Sequence, residues 1–392
     1  MQIQAPIIGG VNPARRIAFE ILLEVEAGGL STALLAGRLT ALPARDAGLA
    51  TELVLGVLRR RAQLHYLITA CASRAAAALD APIRVALELG AYQLRFLDRV
   101  PPHAAVDESV ELVKRAGPRR AAGFANAVLR RLPPLPAEWP SEELRVCLPA
   151  WLLERWRRRF GREAALAAAE AALATPPTYV RVPAGADPGP GLEPTPAPGC
   201  FLARAGAPVR YRIQDLSSQS IVPLLELEPG HRFLDLCAAP GNKTAQALET
   251  PGILAVACDA SPRRLRELRV PVDEVARVRL DAEQPLPFGP VFDRILVDAP
   301  CSGTGTLARH PEIKWRLAPG DIARHAARQR AVLRNALRCL KPGGLLVYST
   351  CSLEPEENEA VVDAEARGRA VRTVLRLPGR DPGDGFEAAV LR

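Results

Sequence analysis

The second half of the chain alternates short apolar strands with amphipathic helices, and this alternation limits the possible folds more than any other feature. From Asp215 onward the pattern predicts strands at residues 233–237, 253–259, 278–281, 294–298 and 345–350, and a long helix at 321–340. These strands are apolar on both faces, as strands covered by helices on both sides must be. The succession predicts a parallel, doubly wound sheet, which binds ligands at the carboxyl ends of its strands.

The first third of the chain has a different pattern. Between Asn12 and Leu132 apolar residues recur every three or four positions, which predicts an all-α region of five to seven helices. One further helix is predicted at 151–173, and eight prolines between Thr175 and Pro198 then leave room only for short strands such as 179–182. We therefore predict a helical domain at 1–140, a small connecting α+β subdomain at 141–215 and a Rossmann-like α/β domain at 216–392.

Composition excludes several classes of protein. The longest apolar runs are strand-sized, well short of the roughly 20 residues that a membrane-spanning helix needs. Residues 1–11 show neither the basic start nor the long apolar core of a secretory signal. The eight cysteines form no CxxC pair and no zinc-site spacing, so we expect no metal, no membrane association and a location in the reducing cytoplasm.

The charge distribution favours a polyanionic partner. The net charge is +8, and residues 1–140 hold 17 Lys and Arg against 12 Asp and Glu. Arginine clusters at 59–61, 119–120 and 130–131 are candidate phosphate contacts, with a merely solvated basic face as the alternative for each cluster.

Residues after the first two predicted strands indicate a nucleoside ligand. The first strand ends in a turn of small residues that opens a helix, made of Cys237, Ala238, Ala239, Pro240, Gly241, Asn242 and Lys243. This turn is neither a GxGxxG nor a GxxxxGK[ST] loop, which argues against hydride and phosphoryl transfer. The second strand ends at Asp259, where an acidic side chain in such folds accepts hydrogen bonds from ribose hydroxyls. Alternatively, Asp259 only helps to start the helix at Ser261.

Two cysteines follow later strands at the same edge of the predicted sheet. Cys301 lies three residues after Asp298, and Cys351 follows Thr350. A lone cysteine in a strand is usually structural, but two at the strand ends favour chemistry. A thiol has a pKa of about 8.5, so a reactive one needs nearby positive charge, which Lys243 is predicted to supply in part.

These segments resemble a known family. DLCAAPGNKT, VDAPCSGTGTLARHPEIKWR and YSTCSLEPEENE resemble the S-adenosylmethionine loop, the Pro-Cys motif and the Thr-Cys motif of the RNA (cytosine-5) methyltransferases, the NOL1/NOP2/Sun class. In the helical region, NPARRIAFEILLEVEAGG and VPPHAAVDESVELVK are similar to the NusB-like RNA-binding domain of the Sun, or RsmB, branch, which comprises bacterial 16S ribosomal RNA methyltransferases. The chain departs from the family pattern at Asn242 (usually glycine), at Glu387 (commonly aromatic) and in a shorter 183–200 stretch.

The resemblance implies a role for each candidate residue. Cys351 is the nucleophile that attacks C6 of cytosine, Cys301 assists product release, and Asp298 and Lys243 complete the catalytic set. The implied contacts to S-adenosylmethionine are the Cys237–Lys243 turn, Asp259 at the ribose, Asp281 at the adenine and Asp298 near the methyl group. The implied partner is 16S ribosomal RNA, bound by a monomer.

Two other functions stay open at this point. One is a cytosine-5 methyltransferase of transfer RNA, against which the NusB-like region argues. The other is a non-catalytic RNA-binding or antitermination module, against which the cofactor loop and both cysteines argue. DNA cytosine methyltransferases use the Pro-Cys thiol alone, so Cys351 favours an RNA enzyme.

Overall fold

The structure, a computed structural model, describes residues 10–72 and 74–392 and divides into two compact units. The first unit comprises the chain up to Ala174 together with Leu307–Trp315, and the second comprises Thr175–Thr306 and Arg316–Arg392. Residues 1–9, most of the segment without a signal-like pattern, lie outside the described residues. No helix within the described ranges is long and apolar enough to cross a membrane.

The elements are numbered in chain order. The helices are α1 (Pro13–Glu26), α2 (Ser31–Arg38), α3 (Ala44–Cys71), α4 (Ala81–Phe96), α5 (Pro102–Ala116), α6 (Ala121–Arg130), α7 (Glu142–Arg145), α8 (Ala150–Phe160), α9 (Arg162–Ala171), α10 (Leu216–Gln219), α11 (Asn242–Ala247), α12 (Pro262–Arg266), α13 (Ile313–Arg316), α14 (Pro319–Leu337) and α15 (Glu359–Glu365). The strands are β1 (Thr178–Arg181), β2 (Leu192–Pro194), β3 (Cys200–Ala203), β4 (Arg212–Ile213), β5 (Arg232–Asp235), β6 (Leu254–Asp259), β7 (Val275–Arg279), β8 (Phe292–Asp298), β9 (Leu340–Thr350), β10 (Ala370–Arg376) and β11 (Phe386–Leu391).

The predicted all-α region is confirmed. Helices α1 to α6 occupy it, a number within the predicted five to seven, and Gly28, Gly29 and Pro101 lie between helices. Apolar side chains such as Leu53, Val57 and Leu87 are fully buried in its core. The repeat of three to four residues therefore does mark the faces that pack together.

The prediction of a single helix at 151–173 is wrong, because the structure has two helices there. Helix α8 ends at Phe160 and α9 begins at Arg162. Between them Gly161 has φ +83°, a left-handed conformation that cannot continue an α-helix. The apolar periodicity continues across the break, so it concealed the turn.

Residues 307–315 fold as part of the helical unit, where the charged side chains of Glu312 and Lys314 are buried. Glu312 is 1 % exposed and accepts hydrogen bonds from the backbone N–H and hydroxyl of Ser31 at 3.0 and 2.8 Å. Lys314 is equally buried and donates to the Arg59 carbonyl at 2.8 Å. Burial lowers the pKa of Lys314 to about 8. Trp315 donates its indole N–H to the Leu58 carbonyl at 2.7 Å.

The structure overturns two members of one candidate phosphate cluster. Arg59 is only 3 % exposed, and its guanidinium donates to the Ala308 carbonyl at 3.0 and 2.8 Å. Arg61 is paired with Glu26 and with the fully buried Glu88. Arginines 59 and 61 are therefore structural, whereas the 119–120 and 130–131 pairs are exposed.

The second unit contains two sheets. The smaller is antiparallel with strand order β2-β3-β1-β4, and β1 occupies the predicted short strand after the first prolines. The larger has seven strands in the order β10-β11-β9-β8-β5-β6-β7. Its strands β7, β6, β5, β8 and β9 are parallel, which confirms the Rossmann-like prediction.

The sequence predicts a purely parallel sheet, and this is wrong, because the sheet is mixed. Strand β11 pairs antiparallel with β9, and β10 pairs antiparallel with β11. The chain order reverses between β5 and β8, which are neighbours in the sheet. Ligands of doubly wound sheets bind at such a reversal, outside the carboxyl ends of the strands.

Candidate active site

The carboxyl ends of four parallel strands bring the predicted site residues to one edge. Asp235 ends β5, Asp259 ends β6 and Asp298 ends β8. Cys351 follows the last residue of β9, and Cys301 lies in the loop after β8. The strand order places β5 and β8 side by side, so the small-residue turn after β5 adjoins the loop that carries Cys301.

The two cysteines are in contact. The Sγ atoms of Cys301 and Cys351 lie 3.3 Å apart. Backbone hydrogen bonds join their segments, from Ala299 N–H to the Ser349 carbonyl and from Gly305 N–H to the Cys351 carbonyl, both at 2.9 Å. Strand pairing and these bonds therefore bring together two thiols that are 50 residues apart in sequence.

Gly305 shows how tightly this region is packed. Its N–H bonds to Cys351, and its carbonyl accepts from the Gly385 N–H at 2.7 Å. A Cβ at position 305 would lie 2.4 Å from the Gly385 carbonyl oxygen, far inside contact distance. Only glycine fits here, so the segment entering β11 closes directly on the Cys301 loop.

The two thiols are buried to a similar, intermediate extent. The hydrogen bond with Cys351, burial and the negative charge of Glu357 raise the pKa of Cys301 well above its usual value. Because the two thiols are in contact, the pair does not lose both protons at neutral pH. Cys351 directly follows the last residue of β9, whereas Cys301 lies in the loop after β8.

Lys243 pairs with Asp298. Its Nζ donates to Asp298 Oδ2 at 2.6 Å and lies 4.7 Å from the centre of the Phe386 ring. The other Asp298 oxygen accepts from the Ser349 hydroxyl at 3.0 Å. Lys243 therefore pairs with this carboxylate, whereas the sequence predicts that its positive charge lies close to the reactive thiols.

The turn after β5 is held from several sides. It contains a cis peptide bond between Ala239 and Pro240, and Gly241 has φ +100°. Asn242, the departure from the family pattern, accepts a hydrogen bond from the Arg212 guanidinium at 3.0 Å. Arg212 also donates to the Arg269 carbonyl. The polar side chain at 242 thus ties the turn to β4.

Carboxylates crowd this end of β5. Asp235 is 1 % exposed, and burial raises its pKa to about 7, although it accepts the Thr244 hydroxyl at 2.7 Å. Burial and the charges of Asp235, Asp298 and Asp259 raise the pKa of Cys237 well above its usual value. Cys237 is therefore a neutral thiol lining an acidic edge.

The two other predicted cofactor contacts differ in exposure. Asp259 is 6 % exposed, and its Oδ1 accepts the Ser261 N–H at 2.8 Å. Its Oδ2 lies 3.6 Å from the Arg264 guanidinium. Asp281, two residues beyond β7, is exposed and accepts the Glu283 N–H at 3.0 Å.

Sequence reasoning missed three residues that shape this site, Arg212, Glu357 and Phe386. Glu357 lies within the quoted Thr-Cys segment, so its closeness to Cys351 in sequence was a usable signal. Phe386 directly precedes Glu387, where the family departure is found. Arg212 gave no signal, since its partner Asn242 lies 30 residues away in another element. Across the described ranges no group of three or more His, Cys, Asp or Glu residues could hold a metal ion.

Comparisons with known proteins agree with this architecture. The model of the 16S rRNA methyltransferase RsmB/F family matches residues 222–386, and that of the NusB family matches residues 12–133. The crystal structure of PH0851 superimposes with a TM-score of 0.78, covering 97 % of this chain and 99 % of that chain. Its sequence identity is 21 %, so it supports the fold alone.

Two full-length relatives carry the family assignment. Ribosomal RNA small subunit methyltransferase B of Klebsiella pneumoniae subsp. pneumoniae is 35 % identical, with 88 % of this chain and 90 % of the relative covered. The protein of the same name from Thermus thermophilus is 39 % identical, with 96 % of this chain and 97 % of the relative covered. The chain therefore belongs to the family of ribosomal RNA small subunit methyltransferases B.

Proposed function

We propose that this protein transfers a methyl group from S-adenosylmethionine to C5 of a cytosine in 16S ribosomal RNA, in the cytoplasm, through a covalent adduct with Cys351. The observation that carries the proposal is the 3.3 Å contact between Cys301 and Cys351 beside the Lys243–Asp298 pair. The relatives' name supports ribosomal RNA as the substrate class.

The residues present fit S-adenosylmethionine. Asp235, Asp259 and Asp298 line the edge with carboxylates, which suit a ligand that carries a sulfonium, an ammonium group and ribose hydroxyls. When bound, the cofactor supplies an electrophilic methyl group. We assign the ribose to Asp259, the adenine to Asp281 and the amino-acid end to the turn from Cys237 to Lys243.

Cys351 has the central chemical role. C5 of cytosine is a poor nucleophile, but addition of the Cys351 thiolate to C6 gives C5 the electron density to take the methyl group. Loss of the C5 proton to a base then restores the C5–C6 double bond and expels the Cys351 thiolate. Cys301, which touches Cys351, assists this release.

Asp298 and Lys243 orient the base in this proposal. Asp298 hydrogen-bonds the cytosine ring edge, while Lys243 and Ser349 hold its carboxylate in place. A carboxylate only accepts hydrogen bonds, so Asp298 would hold the base through its N4 amino group, with little reorganisation because two donors already fix the carboxylate.

The experiment that tests the proposal maps 5-methylcytosine across 16S ribosomal RNA and transfer RNA in a strain lacking this gene and in the complemented strain. We expect one or more cytosines of 16S ribosomal RNA to lose the modification and to regain it on complementation. Loss confined to transfer RNA would refute the substrate, and no loss anywhere would refute the reaction.

Replacement of Asp259 by asparagine is expected to weaken S-adenosylmethionine binding by about 10- to 100-fold, the loss for hydrogen bonds to a charged group. Asparagine keeps the oxygen that accepts the Ser261 N–H, so the turn after β6 is preserved. Asp259→Ala removes both functions and serves as the comparison. Titration calorimetry measures both variants, and wild-type affinity in the asparagine variant would show that Asp259 only shapes the turn.

The exposed arginine pairs of the helical unit are expected to bind RNA phosphates. The plot of log affinity against log salt has a negative slope, and each lost phosphate contact makes this slope shallower by about 0.7 to 0.9. Arg119→Ala/Arg120→Ala should therefore bind a 16S transcript more weakly and with a shallower salt dependence. The matched control replaces two exposed arginines of the second unit, Arg330 and Arg338. Equal slopes for wild type and the Arg119/Arg120 variant would show that these arginines contact solvent and not RNA phosphates.

A further inference from the structure

A buried carboxylate connects the two cysteine segments. Glu357, in the turn between β9 and α15, is fully buried. Its Oε1 accepts the Ser302 N–H at 2.8 Å, and its Oε2 accepts the Ser302 and Ser352 hydroxyls, both at 2.5 Å. Gln329 of α14 donates to Oε1 at 3.1 Å. These four donors are neutral, so the charge is held by hydrogen bonds, as a buried carboxylate requires.

The two serines directly follow the two cysteines. Ser302 comes after Cys301, Ser352 comes after Cys351, and the serine hydroxyl oxygens lie 3.1 Å apart. One side chain therefore fixes the backbone next to both sulfur atoms.

Glu357 restrains the Cys301 segment more than the Cys351 segment. Cys351 directly continues β9, a strand paired on both sides with β8 and β11. Cys301 lies in a loop beyond the end of β8, and Ser302 makes two of the three serine contacts to Glu357. Gln329 adds a bond to the Pro300 carbonyl at 2.9 Å. Loss of the carboxylate should therefore release Cys301 first.

We propose that Glu357 is a positioning residue that holds Cys301 beside Cys351 for the release of the methylated cytosine. This inference rests on the proposed two-cysteine reaction. The attack on C6 needs only Cys351, whereas release needs both cysteines in contact. Displacing a catalytic group by about 1 Å can slow a step about 100-fold.

The test compares Glu357→Gln with Glu359→Gln, which removes the same charge from an exposed neighbour. Two rates are measured with the full-length protein and S-adenosylmethionine. The first is adduct formation on a 16S transcript containing 5-fluorocytidine. This nucleoside traps the adduct, because the group that accepts the C5 proton cannot remove a fluorine atom from C5. The second is adduct release on the ordinary transcript, which denaturing electrophoresis measures.

In Glu357→Gln we expect trapping within about threefold of wild type and release slowed about 10- to 100-fold, so that an adduct accumulates on ordinary RNA. The Glu359→Gln control should match wild type in both rates. If Glu357 had only a structural role, its replacement would slow adduct formation and adduct release alike. That outcome overturns the inference, and so do two unchanged rates.

Two further measurements keep the result interpretable. If Glu357→Gln does not fold, Ser302→Ala removes one hydroxyl donor and should slow release selectively by several-fold, with equal effects on both steps again overturning the inference. If wild-type protein forms no adduct with the 5-fluorocytidine transcript, the proposed reaction fails, and not only the role of Glu357.

Discussion

Replacement of Cys351 by alanine is expected to abolish methyl transfer without trapping RNA. The C6 adduct cannot form without the Cys351 thiolate, and C5 then lacks the electron density to attack the methyl donor. Removing the nucleophile of a covalent mechanism costs on the order of 10⁴-fold or more in turnover. Transfer of labelled methyl groups from S-adenosylmethionine to a 16S transcript measures the loss.

A structural cysteine supplies the control for this prediction. Cys339 is 1 % exposed and lies directly before β9, where burial raises its pKa. Cys339→Ala should keep most of the activity, with a loss of stability of about 0.5 to 2 kcal/mol at most. Residual turnover above about 1 % in folded Cys351→Ala would contradict a covalent role for this thiol.

Local sequence patterns were enough to predict the strands that carry the site. Strands β5, β6 and β8 are short apolar segments, and each ends in an aspartate that later appears in the site. Since carboxyl ends of parallel strands meet at one edge, the grouping of these residues followed from the alternation alone. The same rule places Cys301 and Cys351 at this edge, whereas their contact depends on the loop after β8.

Strands β10 and β11 could not be predicted in the same way. Strand β10 is mostly exposed at the edge of the sheet, and arginine and threonine interrupt its apolar residues, so it lacks the apolar run that marks a buried strand. Strand β11 is apolar, but its direction depends on pairing with β9, which lies about 40 residues earlier in the chain. Antiparallel closure of the sheet is therefore a property of tertiary pairing.

Buried charges were the other limit of the sequence. Glu312 and Lys314 lie in a segment, HPEIKWR, whose composition is typical of a surface turn. Their partners Ser31 and Arg59 are more than 250 residues away, and no local pattern connects them. The sequence therefore predicts a phosphate contact at Arg59, because a run of three arginines is usually exposed.

Replacement of Cys301 by alanine is expected to give the opposite outcome to Cys351→Ala, namely an accumulated adduct. Cys351 still attacks C6 and the methyl group is still transferred, but elimination is slow without the neighbouring thiol. The Sγ–Sγ contact of 3.3 Å is the reason to expect the assistance to be direct. Denaturing electrophoresis should show a protein–RNA band that wild type and Cys301→Ala/Cys351→Ala lack.

The pattern of adducts separates the two roles from a shared structural one. If both cysteines only pack the strand ends, each alanine variant loses stability by a similar few tenths to about 2 kcal/mol and neither forms an adduct. A stable adduct in Cys351→Ala and none in Cys301→Ala would reverse the assignment and make Cys301 the nucleophile, the arrangement of DNA cytosine methyltransferases. The proposed assignment follows the family resemblance, which gives the role of nucleophile to the cysteine of the Thr-Cys motif, directly after β9.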